Sequence, residues 1–229
     1  MKNVRTLAAA LLLSMFSASY ALAEFTMGVT AAMAYIEADG TETEGNINEV
    51  NQRGVTHLAP VGSIFVEMND IVGSGLSLGI DYIPMAADVS DGLSRTDTER
   101  SVTGTTAGTS LTRNQKAQAE IDNHITLYGT YNIGDIYLKA GYVSADLITT
   151  ESLPTGSSYG DASLDGITVG IGYESELVGN SIYRLEATHT SYDDINLTSS
   201  TARAGVTNNT KISADLDVTQ IKASIGYKF

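Results

Sequence analysis

Beyond residue 23, eight stretches of this chain place apolar side chains at every second position, and none holds the roughly 18 consecutive apolar residues of a membrane-crossing helix. A period of two is the signature of a strand with one apolar face. Phe25, Met27, Val29, Ala31, Met33 and Tyr35 share the first such face. Ile64, Val66 and Met68 form the second; Leu76, Leu78, Ile80 and Tyr82 the third; Ile121, Ile125, Leu127 and Tyr131 the fourth. Ile136, Leu138, Ala140 and Tyr142 follow, then Ile167, Val169, Ile171 and Tyr173, then Tyr183, Leu185 and Ala187. The last is Ile221, Ala223, Ile225, Tyr227 and Phe229. The fold class is therefore all-β.

The connections alternate in length. Asn69–Gly75, Asn132–Asp135 and Leu177–Asn180 are short and carry the Gly, Asn and Asp of tight turns. The other four, over 39–58, 88–116, 151–164 and 197–211, are long and polar. Short turns at one end and long loops at the other describe an antiparallel up-and-down barrel of the bacterial outer-membrane type. Residues 1–23 read separately, as a secretory signal peptide: Lys2 and Arg5, an apolar run from Leu7 to Phe16, and the small-residue site Ala21-Leu22-Ala23. The barrel is then expected over 24–229. The formal charge of the whole chain is −14; residues 1–23 hold two basic and no acidic side chains, so the remainder carries −16. This acidic balance excludes a general nucleic-acid binder. The absence of cysteine excludes disulfide frameworks, cysteine zinc sites and thiol catalysis.

Parity assigns the remaining side chains. Glu67, Asp81, Glu120, Asp122, Lys139, Glu174, Arg184, Glu186 and Lys222 fall opposite the apolar faces, and so does Lys228. In a soluble barrel or sandwich these charges would face water; in a membrane barrel they face the lumen. An eight-stranded lumen is only wide enough for its side chains, so opposite charges inside it are expected to pair into a plug. A narrow path lined by acidic groups is the alternative. A short repeat, Leu76-Ser-Leu-Gly79-Ile-Asp-Tyr82 and Ile167-Thr-Val-Gly170-Ile-Gly-Tyr173, with echoes at Gly141-Tyr142 and Gly226-Tyr227, puts glycine inward and tyrosine outward. Tyr82, Tyr131, Tyr142, Tyr173 and Tyr183 are thus candidate membrane-interface aromatics.

The C-terminal pattern Ile221, Ala223, Ile225, Tyr227, Phe229 resembles the assembly signal of outer-membrane barrels. With the export signal it decides the inside-outside question for the membrane reading. Over residues 24–229 the chain resembles the small eight-stranded outer-membrane barrels: the membrane domain of outer membrane protein A, the OmpX and OmpW types and opacity-like proteins. It departs from them in having no tryptophan, which leaves any aromatic girdle to Tyr and Phe. The resemblance implies residence in the cell outer membrane and contact with lipid and lipopolysaccharide. It also implies handling by periplasmic chaperones and the barrel-assembly machinery, with no cofactor.

The expected role is structural or surface-interacting, with acidic loops outermost (Glu37 to Glu49) and an undefined extracellular ligand. The alternative is a narrow porin-like or hydrophobic-solute channel. A lipid-modifying enzyme is the third reading, resting on His189, Ser191, Asp193 and Asp194 without any motif around them. Glu120, Asp122 and His124 alternate along one strand, but one His with two carboxylates is a weak metal pattern, and no metal site is assigned.

Overall fold

In a computed structural model, the chain is described over residues 24–43, 50–89, 93–100, 110–150, 158–200 and 209–229. The expected signal peptide lies outside these residues. The strands are β1 (Glu24–Thr43), β2 (Val50–Asn69), β3 (Leu76–Ile83), β4 (Ala87–Asp88), β5 (Leu93–Arg100) and β6 (Ser110–Ala117). They continue with β7 (Ala119–Ile133), β8 (Ile136–Thr149), β9 (Ala162–Glu176), β10 (Ser181–Tyr192), β11 (Ile195–Thr198) and β12 (Lys211–Lys228). Antiparallel pairing runs β1-β2-β3-β7-β8-β9-β10-β12, and β12 returns to β1, so eight staves close a barrel. β4 prolongs the β3 stave along β7, β11 prolongs the β10 stave along β12, and β5 and β6 form a separate hairpin.

Closure leaves each stave an inner and an outer face, and the alternation read from the sequence sorts between them. Outward, Val29 lies between Ile64 and Ile225, and Ile171 between Leu138 and Ala187. The turns follow their chemistry. The β7–β8 turn is two residues, opened by Gly134 at φ 68°, where glycine sits without steric cost. Asp70, at φ 43°, accepts a hydrogen bond from the Gly75 amide at 2.7 Å and so closes the β2–β3 turn.

Two expectations need correction. The strands reach much further into the long connections than the apolar alternation indicates. The β1–β12 ladder runs on to Thr43 opposite Lys211, and β2 starts at Val50. Hydrogen-bonded pairing persists there although the outer face has turned polar, so the period-two signal fades before the strand ends. The second correction concerns β7. Its register with β8 shifts between Asp122 and Ile125, where Asn123 adopts φ 51°. A bulge of this kind reverses the parity of everything beyond it. Ile121, opposite Leu147, therefore points inward, and Glu120 and Asp122 lie on the outer face, away from the lumen charges.

Three inward glycines stand directly opposite inward aromatics: Gly28 with Phe65, Gly79 with Tyr128, and Gly172 with Tyr137. A Cβ at any of the three would run into the facing ring. Inward glycine is thus the space that lets three aromatic side chains lie flat across neighbouring strands.

Candidate functional site

The interior divides into two halves. At the turn end every stave sends polar or aromatic groups inward. Arg184 on β10 is the hub. Its Nη2 and Nη1 donate to the two carboxylate oxygens of Glu67 at 2.7 and 3.0 Å, and its Nε donates to Glu174 at 2.6 Å. This is the bidentate geometry that a planar guanidinium offers a carboxylate. Lys139 donates to both oxygens of Glu186 at 3.0 and 3.2 Å, and the Tyr137 hydroxyl donates to the same carboxylate at 2.9 Å. Lys222 reaches Asp81 at 3.4 Å and Glu186 at 3.8 Å. At the mouth Lys228 holds Glu174 at 3.0 Å. On β1, Thr30 Oγ1 meets Ser224 Oγ at 2.8 Å.

Charge and aromatic packing explain why these groups tolerate burial. Glu67, Asp81, Glu174 and Glu186 are matched by Lys139, Arg184, Lys222 and Lys228, each in contact with at least one of them. Lys139 also sits 4.0 Å above the Tyr128 ring, and Arg184 lies 5.1 Å from that of Phe65. Buried ions are costly unless paired and hydrogen-bonded. The structure thus brings together seven of the nine lumen residues named from the sequence, with Lys228. Glu120 and Asp122 are outside this set, for the bulge described above. That bulge also separates them from His124, which remains inward and bonds Tyr192 through Nε2 at 3.0 Å.

Above the charged layer the same inward positions turn apolar: Ala34 and Ile36 on β1, Val143, Ala145 and Leu147 on β8, Leu216 and Val218 on β12. They lead into an open cavity of about 200 Å³ at the loop end, walled by Ala38, Val55, Val89, Leu147, Ile195 and Leu216. Gln118, Thr149 and Tyr159 also border it. Inspection of sequence parity misses this cup, yet its trace is there: β8 reads Gly141, Val143, Ala145, Leu147 at positions assigned to a polar face.

Outside, the barrel wears an apolar belt. Val29, Ile64, Leu138, Ile167, Ile171, Leu185, Ile221 and Ile225 are all exposed. A face of this composition is unsuited to water, and a closed barrel with a polar lumen is the β-sheet solution to spanning a bilayer. Phe25 and Tyr35 mark its height on β1. Ten residues at ~3.3 Å each, tilted ~40°, span roughly 25 Å, the usual thickness of such a belt. Of the candidate interface tyrosines, Tyr131, Tyr142 and Tyr173 are exposed and Tyr82 and Tyr183 half-buried. The Tyr173 and Tyr183 rings pack at a tilt, with centroids 6.0 Å apart, near the turn end, beside Tyr227 and Phe229, whose rings are 5.0 Å apart. Ile221, Ala223, Ile225 and Tyr227 line the outer face of the closing strand, and the Phe229 amide donates to the Phe25 carbonyl at 2.8 Å. His189 is outward and exposed; its Nδ1 meets Thr219 Oγ1 at 3.0 Å and its Nε2 lies 3.8 Å from Asp217, so both ring nitrogens face β12 and not Ser191.

No protein-family model and no curated protein matches the chain. Among solved structures it is similar to the outer membrane protease OmpT of Escherichia coli, at 12% identity over 90% of this chain and 97% of that one, with a TM-score of 0.49. It is similar also to the outer membrane protein OprG of Pseudomonas aeruginosa, at 11% identity over 90% and 96%, TM-score 0.48. The attachment invasion locus protein Ail of Yersinia pestis, in complex with a heparin analogue, matches at 11% over 88% and 99%, TM-score 0.43.

Proposed function

We propose that this protein is an outer-membrane barrel with a lumen closed to ions, which anchors a surface-interacting loop end facing the medium. The turns then face the periplasm, and lipid and lipopolysaccharide surround the belt. The observation that carries this reading is the charged layer, in which four carboxylates and four cations from the turn-end half pair with one another across the barrel. A conducting path would need those pairs to part, and each buried partner left alone is strongly penalised. The test is current through planar bilayers. The purified barrel is expected to give no steady conductance, and an Arg184→Ala/Lys139→Ala double substitution is expected to raise leak events. A stable ohmic pore from the unaltered protein would overturn the reading.

The cup supports a second reading, binding of a small apolar solute. Its volume, about 200 Å³, exceeds that of engineered apolar cavities of roughly 150 Å³ that stay dry and take up benzene. Because the charged layer lies beneath it, the cup is a binding site with a floor, not the mouth of a straight-through channel.

A further inference from the structure

The apolar cup has an acidic rim. Glu42 continues the inner face of β1 beyond Ala38 and stands opposite Ile212, and both Ala38 and Ile212 wall the cup. Its Oε1 accepts a hydrogen bond from the Tyr159 hydroxyl at 3.4 Å, and Tyr159 borders the cup. Gln118 Nε2 donates to the Asp88 carboxylate at 2.9 Å, and the Thr149 amide donates to that of Asp161 at 3.2 Å. Asp215 of β12 borders the cup itself. Each polar residue bordering the cup is thus a carboxylate or is bonded to one. Among the described side chains at the loop end, the only Lys or Arg residues are Arg53 and Lys211. Arg53 lies opposite Gly40, and neither of the two borders the cup.

Tyr159 is fixed at the mouth from both sides. Thr149 Oγ1 donates to the Gly160 carbonyl at 3.0 Å, which ties the segment to β8. The Ser158 amide donates to Ser200 Oγ at 3.0 Å, and the Ser200 amide donates to the Ser158 carbonyl at 2.7 Å, which ties it to the residues after β11. An aromatic ring beside a carboxylate at the mouth of an apolar cavity is a setting that favours an ammonium group, since ring and carboxylate both attract positive charge. A neutral solute gains nothing from this rim, and an anion is repelled by it. A charge sunk among apolar walls would be costly, but a ligand whose apolar body fills the cup leaves its charge at the rim, where water and carboxylates hold it. A mouth lined by one sign of charge also concentrates the opposite sign.

We infer that the cup takes small organic cations, an ammonium group carried on an apolar body. The body lies among Ala38, Leu147 and Leu216, and the charge sits at the rim beside Glu42 and Tyr159. This rests on the reading of the cup as an apolar binding site and adds to it the sign of the ligand's charge.

Three water-soluble probes of similar shape separate charge from apolar contact: benzylammonium, neutral benzyl alcohol and anionic phenylacetate. Each is titrated by ligand-observed NMR against the full barrel in lipid nanodiscs, with protein-free nanodiscs subtracted. Benzylammonium is expected to bind about tenfold more tightly than benzyl alcohol, the scale of one ring contact and one screened carboxylate together, with phenylacetate weakest. Glu42→Gln, Tyr159→Leu and added salt should each reduce that advantage and leave benzyl alcohol unchanged. Ala214→Phe, which fills the cup, should abolish binding of both; Leu197→Trp is a second filler, and heat-modifiable gel migration verifies that each variant folds. Equal binding of benzylammonium and benzyl alcohol overturns the inference and leaves the cup reading standing. Tightest binding of phenylacetate overturns it in favour of selection by Arg53. Benzylammonium binding that survives both fillers lies on the acidic surface outside the cup and overturns it as well. No binding of any probe removes the cup reading and the inference with it.

Discussion

Replacing Arg184 with alanine is expected to remove about 3–5 kcal/mol of barrel stability, the usual consequence of stranding one member of a buried ion pair. The stranded group is Glu67. It is 2% exposed and holds both of its oxygens on Arg184. Glu174 suffers less, because Lys228 still holds it at 3.0 Å. Two further variants separate pairing from packing. Arg184→Lys keeps the charge but loses the planar fork, so it should fall between the alanine variant and the parent. Glu67→Gln placed in the Arg184→Ala background should recover part of the loss, since it removes the unpaired charge. Urea unfolding in lipid vesicles, followed by the gel shift between folded and unfolded forms, measures all three. Independent, additive losses from Glu67→Gln and Arg184→Ala would contradict the pairing.

Ile171→Arg is expected to cost about 2–4 kcal/mol, the range for a basic side chain near the midplane on the lipid face of a barrel. The size of this effect depends entirely on what lies outside. Ile171 is 52% exposed and flanked by Leu138 and Ala187, with no buried contact or hydrogen bond to lose. On a barrel surrounded by water such a substitution would change stability by about 0.5 kcal/mol or less. The same unfolding measurement in vesicles decides between the two, and a near-zero change would place the outer face in water.

The sequence carried the closed sheet because its signals are local. Period-two alternation survives wherever one face meets lipid, and the short turns display their glycines openly. The lumen pairs were legible for the same reason: parity alone puts Arg184, Glu67 and Lys139 on one side of their strands. Parity fails where a single residue interrupts it. Asn123 bulges with φ 51°, and nothing in Glu120–Ile125 announces that Glu120 and Asp122 will turn outward while His124 turns in. The cup was hidden by a different rule. Apolar residues at inward positions such as Val143 and Leu147 look like noise on a polar face until the barrel closes and sets them against Ile36 and Leu216.

The placement of lipid outside and ion pairs inside can be tested directly by spin labels on single cysteines at Val169, Ile171 and Ile225, in protein reconstituted into vesicles. All three are exposed on the outer face, whereas Asn196 is exposed beyond the belt and serves as the watery reference. At the first three positions the label is expected to collide often with oxygen, which concentrates in hydrocarbon, and rarely with a polar nickel chelate, with the reverse at Asn196. Nickel-chelate collisions at Val169, Ile171 and Ile225 as frequent as those at Asn196 would contradict the membrane-spanning barrel.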